Sequence, residues 1–160
     1  MPIVEIDEID QKIVDVLIED GRASAAAIAR TIGGISERVV RYRMERLLRE
    51  GVVKIGAIVN PVALGYAVMA DVFLEVESGG IEEVSRQVMA YDCVTYLAFS
   101  IGESDVSVQI VGKDNEQIYT FVTDVLGRLP KVRRTVTSIV PVKLKDVYEW
   151  RIPDPSVTRR

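Results

Sequence analysis

Histidine is missing from this chain of 160 residues. Its absence excludes an imidazole general base, a histidine-based catalytic triad and a His-ligated zinc site. Cysteine occurs once, at Cys93, so one chain can form neither an internal disulfide nor a thiolate metal cluster. A lone thiol fits a reducing compartment, and its expected role is that of a small buried hydrophobe. No apolar run approaches the roughly 18 residues of a membrane span. No basic segment leads into an apolar one at the start, so no secretory leader is read and a cytoplasmic protein is expected. Glycine loops of the G-x-x-x-x-G-K-[ST] and G-x-G-x-x-G types do not occur. With these removed, catalysis has little left to stand on. No enzyme activity, metal or cofactor is expected.

Apolar residues make up 48% of the chain, enough for a packed core. The formal charge of −4 argues against a polyanionic partner, but its distribution reverses that. Residues 1–20 carry seven acids and one base, Lys12. Residues 22–54 carry eight bases and three acids, a local net of +5. A local basic field is what attracts phosphate.

Three short helices are predicted in this region. The first runs from Glu8 to Asp20, with Asp7 as N-cap, Asp10 three residues on, and Ile9, Ile13, Val16 and Leu17 as its apolar stripe. The second begins near Ser24 and ends at Gly33, with Ile28 and Ile32 inward. The third starts after Ser36 and ends at Gly51. Val40, Met44, Leu47 and Leu48 fall on one of its faces; Arg38, Arg41, Tyr42 and Glu45 fall on the other. Two helices joined by a tight turn can lay the second in a DNA major groove. Ser36, Glu37, Arg38, Arg41 and Tyr42, on the outward N-terminal half, are the candidates for base-edge or phosphate contact. A solvated helix with Arg41–Glu45 and Arg46–Glu50 ion pairs is the plainer alternative.

Val52–Val59 reads as a strand or wing pair, and Asn60-Pro61 as a turn. The second half then alternates. Tyr66 to Glu77 places Tyr66, Val68, Ala70, Val72, Leu74 and Val76 on one face. A helix over Ile81–Tyr91 follows, with Ile81, Val84, Val88 and Met89 inward, and then a strand over Val94–Ile101. After the loop Gly102–Asp105, Val106, Val108 and Ile110 alternate in the next strand. Asp114 and Gln117 resemble a capping box opening a helix with Ile118, Phe121, Val122, Val125 and Leu129 inward. Val132–Val140 is the last core strand, and Lys143–Trp150 reads as one strand more. The order βαββαβ is that of a ferredoxin-like split βαβ unit. Such a sheet leaves one face bare, with Met69, Phe73, Tyr96 and Ala98 on it, and self-association covers it most simply. Tyr148 and Trp150 are expected at a subunit contact.

Four segments together resemble the Lrp/AsnC, or feast/famine, transcription regulators: Ile6–Ile13 with Glu19–Arg22; Ile28-Ala29 through Ile35-Ser36 with Arg43, Arg46 and Leu47; Gly102-Glu-Ser-Asp105; and Leu129–Ser138. The resemblance spans residues 6–145 at family spacing. It implies an α+β protein with a winged helix-turn-helix domain (1–52), a linker or wing strand (53–65) and a ferredoxin-like effector-binding and oligomerisation domain (66–150); the last residues, with Pro153, Pro155, Arg159 and Arg160, read as a mobile tail (151–160). It implies a sequence-specific, DNA-binding regulator of transcription that responds to a small metabolite, an amino acid or related compound. The expected partners are double-stranded DNA, the effector, and further copies of the chain as a dimer, tetramer or octamer, with no membrane. Arg43 and Arg46 match recurring family positions and either position phosphates or pair with acids such as Asp10 or Asp20. The effector set implied is Gly102, Glu103, Ser104 and Asp105 with Thr135, Thr137 and Ser138. Two departures stand out. Gly33-Gly34 lengthens the usual turn by one residue, and Glu103-Ser104 replaces the commoner Asp-Tyr. A ligand-sensing or decarboxylase-like relative without DNA reading is the alternative; the sirohaem decarboxylases of similar fold rely on histidine.

Overall fold

The computed structural model describes residues 3–153, which form two compact units. One comprises the chain up to Ile58 together with the segment from Leu144 onward; the other is Val59–Lys143.

The first unit is built on three helices: α1 (Glu8–Glu19), α2 (Ala25–Ile32) and α3 (Glu37–Arg49). Each begins on the side chain its sequence offers. The Asp7 carboxylate accepts from the Ile9 and Asp10 amides, while the Asp10 carboxylate accepts from Asp7 N–H at 3.1 Å, a reciprocal cap. Ser24 and Ser36 hydroxyls accept from the amides three residues on, Ala27 and Val39. Between α2 and α3 the backbone takes positive φ twice in succession, +71° at Gly33 and +70° at Gly34, a conformation that favours glycine. Ile13, Val14, Leu17, Ile28, Val40 and Leu47 interlock as the core of this unit. Leu48, expected inward, stays 42% exposed, because Val40 and Leu47 already fill the contact with α1 and α2.

Two expectations at the edges of this unit fail. Val52–Val59 forms no strand; from Lys54 onward its side chains lie exposed, and the described residues offer no neighbouring strand with which it could share a ladder. The segment Lys143–Trp150 is likewise no strand, and from Leu144 it belongs with the helices rather than with the sheet. It makes a single helical turn at Val147–Glu149, after which Gln11 Nε2 donates to the Ile152 carbonyl at 3.2 Å and Ile152 packs against the helical core. Arg151 donates to Asp15 at 3.0 Å and also to Glu19. So the first residues assigned to a mobile tail are docked on α1, while those beyond residue 153 lie outside the described residues.

The second unit has strands β1 (Val68–Val76), β2 (Val94–Phe99), β3 (Val106–Gly112) and β4 (Val132–Val140), with helices α4 (Ile81–Val88) and α5 (Asn115–Thr120). All pairings are antiparallel and the spatial order is β2-β3-β1-β4, the split βαβ arrangement. Ala70, Val72, Leu74 and Val76 of β1 with Val106, Val108 and Ile110 of β3 meet Val84, Val88, Ile118, Val122 and Leu126 from the helices in one core. Met89, expected inward, lies past the end of α4 and is exposed. Behind α5 the chain widens into one π turn, Phe121–Val125, which shifts the helical phase so that Leu126 is buried in place of Val125. Asp114 caps α5 as expected, but Gln117 Oε1 accepts from Lys113 N–H, one residue before the position a capping box requires.

Candidate nucleic-acid interface and effector loop

The rear of α3 is fixed by Val40 and Leu47, which are fully or almost fully buried. Helical geometry therefore turns residues 37, 38, 41, 42 and 45 outward, and all five are exposed. Ser36, also exposed, spends its hydroxyl on the cap. The Arg41 guanidinium donates to Glu37 one turn earlier, rather than to Glu45 one turn later. Tyr42 is 64% exposed.

Arg43 and Arg46 lie on the same helix yet face the other way. Arg43 Nη1 donates to both oxygens of Asp7 at 2.7 Å and to Asp10 Oδ1 at 2.9 Å. Arg46 Nη2 donates to Asp10 Oδ2 at 2.5 Å. The Asp10 side chain is 1% exposed and so sits between two guanidiniums in a desolvated position. A buried carboxylate is tolerated only when paired and hydrogen-bonded, and Asp10 is both. The Arg43 hydrogen bond, helped by the Asp10 amide, holds the Asp7 carboxyl below the usual aspartate range. Asp7 and then Asp10 raise the Arg43 guanidinium further above its ordinary value. Of the two roles open to these arginines, the geometry carries the interhelical one. Asp20, the other acid anticipated as a partner, instead accepts from the Arg22 amide at 2.9 Å and closes the turn after α1.

The effector residues are distributed less simply. Gly102 has φ +141°, a conformation side chains rarely adopt. Asp105 is tied into the sheet: its amide donates to Leu74 O at 2.9 Å, its carbonyl accepts from Ser100 N–H at 2.8 Å, and Oδ2 accepts from Val76 N–H at 2.8 Å. These bonds leave Oδ1 as the oxygen without a hydrogen bond among the described residues. Glu103 is exposed and Ser104 half-buried. On β4, Thr135 and Thr137 stand opposite Leu74 and Val72, on the face the helices cover, whereas Ser138 stands opposite Asp71 on the open face. The three hydroxyls thus do not converge on one side of the sheet. A surface depression lined by Lys113, Asp114, Gln117 and Phe121 includes none of these residues.

The open face holds what sequence reasoning overlooked. Register places Met69, Asp71 and Phe73 of β1 beside Val111, Gln109 and Ser107 of β3, with Tyr96 and Ala98 beyond on β2 and Val136 and Ser138 on β4. Gln109 Nε2 donates to Asp71 Oδ1 at 2.8 Å across the middle of this otherwise largely apolar surface. The signal was present: Asp71 interrupts Met69 and Phe73, and Gln109 sits between Val108 and Ile110.

A helical unit that presents one arginine-bearing face, followed by a four-stranded split βαβ unit, is the plan of a one-chain DNA-binding regulator with a sensory domain. Residues 6–48 match the AsnC-type helix-turn-helix domain, and residues 69–149 match the Lrp/AsnC ligand binding domain. The chain belongs to the Lrp/AsnC family of transcriptional regulators. It is 35% identical to the HTH-type transcriptional regulator FL11 of Pyrococcus abyssi over 150 residues, covering 93% of this chain and 98% of that one. Its fold is shared with AsnC from E. coli, at TM-score 0.81 and 19% identity over 89% of this chain and 97% of that one. It is shared too with a transcriptional regulator from Neisseria meningitidis determined as an L-Met complex, at TM-score 0.84 and 22% identity over 96% of this chain and 99% of that one.

Proposed function

We propose that this regulator reads operator DNA with the outward first two turns of α3 and responds to an amino acid or a closely related metabolite through its sheet unit. The observation that carries the first half is the division of α3: Val40 and Leu47 bury its rear, and Glu37, Arg38, Arg41 and Tyr42 stand free of the core with the Ser36 cap ahead of them. An arginine forked onto guanine contributes about 1–3 kcal/mol of base discrimination. Arg38 and Arg41 are the residues assigned that contact, while Arg43 and Arg46 hold α3 at its angle to α1.

The partner copy is a second identical chain, joined through the open sheet face that carries Phe73, Tyr96 and Val136, all partly exposed. Two α3 helices in a twofold dimer address half-sites about one helical turn apart, roughly 34 Å, or a multiple of it. The effector is proposed to meet the Gly102–Asp105 loop, with Asp105 Oδ1 accepting from an ammonium group. The L-Met complex of the Neisseria relative supports the amino-acid class. The protein acts by binding, without a cofactor or a catalytic step, and where its DNA is, in the cytoplasm.

Titration of duplex DNA by Arg38→Ala and Arg41→Ala variants at several salt concentrations tests the reading. Loss confined to one preferred sequence supports base contact; equal loss on all sequences with a shallower salt slope makes these residues phosphate contacts. Unchanged binding removes α3 from the interface.

A further inference from the structure

The charge on α3 is not what its composition advertises. Five arginines lie on the helix. Arg43 and Arg46 are spent on Asp7 and Asp10. Arg49 has Glu50 at 3.7 Å. Arg41 is paired with Glu37. Among the described residues, Arg38 alone of the five has no carboxylate within ion-pair distance. The outward face of the first turns therefore carries two guanidiniums, Arg38 and Arg41, against two carboxylates, Glu37 and Glu45. It is formally neutral. A face without net charge gains little from counterion release, the term that supplies nearly all non-specific DNA affinity.

Glu37 is the residue that makes this arrangement purposeful. It is the first residue of α3, directly after the Ser36 cap, and so lies at the end of the helix that enters a groove first in this mode of docking. Its carboxylate holds the Arg41 guanidinium one turn on, in the acid-first order that favours such pairs on helices. Both side chains remain substantially exposed, 49% for Glu37 and 63% for Arg41, so the pair is a surface device and not a core strut. A carboxylate at this place repels phosphate wherever the sequence is wrong. It is satisfied where it can accept from the exocyclic amino group of cytosine, while its arginine partner reads an adjacent guanine.

We propose that Glu37 is a specificity-determining residue: it suppresses non-specific binding by α3 and, acting with Arg41, selects a cytosine–guanine step within each half-site. This rests on the reading of α3 as the DNA-contacting helix. The grip on phosphate is then left to bases off this face, with Arg22 before α2, Arg30 on α2 and Lys54 after α3 all exposed.

The test selects duplexes from a random pool with the full chain, then measures affinity for the recovered duplex and for a scrambled one of equal composition. With Glu37→Gln, affinity for the scrambled duplex rises and the ratio between the two duplexes falls about tenfold, the size of one lost base contact. Reselection with the variant relaxes preference at one cytosine per half-site. Arg30→Ala weakens both duplexes alike and lowers the salt slope by about one. A role for Glu37 confined to helix stability would shift the melting temperature without changing the recovered sequence, and that result overturns the proposal. So does an equal rise on both duplexes, which makes Glu37 a plain repulsive charge. If the wild-type chain recovers no preferred sequence, DNA reading by α3 itself falls and takes the Glu37 role with it.

Discussion

Arg38 and Arg41 on one side of α3 and Arg43 and Arg46 on the other are the same residue type on the same helix, and they do opposite work. The inner pair is half-buried and converges on Asp10, whose side chain is 1% exposed. The outer pair is exposed, and one member is tied only to a neighbour on its own helix. The difference lies in what faces each arginine. Those at 43 and 46 are three apart and share a side with Val40 and Leu47, so they meet α1 and its two acids. The lesson is that counting bases on a helix overstates its field when a neighbouring helix supplies buried carboxylates.

The contrast can be broken most severely at Asp10. Asp10→Ala removes the acceptor for both inner arginines and one half of the α1 cap, and it is expected to cost the helical unit about 3 kcal/mol or more. Hydrogen exchange that accelerates in α1 and α3 while the sheet amides keep their protection is the expected signature. Arg43→Ala is next, with a loss of about 1–3 kcal/mol and a change in acid sensitivity. Because Arg43 depresses the folded-state value of Asp7, the stability this pair supplies is complete above the ordinary aspartate value and fades as pH falls through the depressed one. Thermal unfolding followed from about pH 5 down to about pH 2 should therefore decline less steeply in the variant than in wild type. Arg151→Ala, which frees Asp15 and Glu19 at an exposed site, should lower the denaturation midpoint only slightly, and by less in high salt. Arg38→Ala should leave stability within about 0.5 kcal/mol of wild type while weakening DNA binding. A stability loss there equal to that of Arg43→Ala would erase the distinction between the two faces.

Much of this was legible beforehand because it is local. Asp7, Ser24 and Ser36 announce helix starts, Gly33 and Gly51 announce ends, and the two-residue alternation over Val68–Val76 and Val106–Gly112 announces strands whose partners follow from chain order. What escaped needs contacts distant in sequence. Arg43 and Asp7 are 36 residues apart, and Arg151 and Asp15 are 136 apart. Local pattern could say that Arg43 had a reason to be there, but not whether a phosphate or an aspartate was the reason. The segment at Val52–Val59 has strand-like residues, but a strand exists only with a neighbour, and the described residues provide none. In the candidate effector site, the family resemblance brought Thr135, Thr137 and Ser138 together as one set on the last strand. A strand sends alternate residues to opposite faces, so Ser138 parts from the two threonines. The π turn after Thr120 similarly moved burial from Val125 to Leu126 through a one-residue change of phase that composition does not reveal.

The docking of Arg151 and Ile152 on α1 has a consequence for the order of assembly. A ribosome makes α1 to α3 first and the docking segment last, after all four strands have been synthesised. The first and last pieces of the helical unit are thus separated in synthesis by the whole of the sheet unit. A product that ends within β4 can complete its sheet core only in part and also lacks the closing piece of its helical unit, so a single break compromises both units at once.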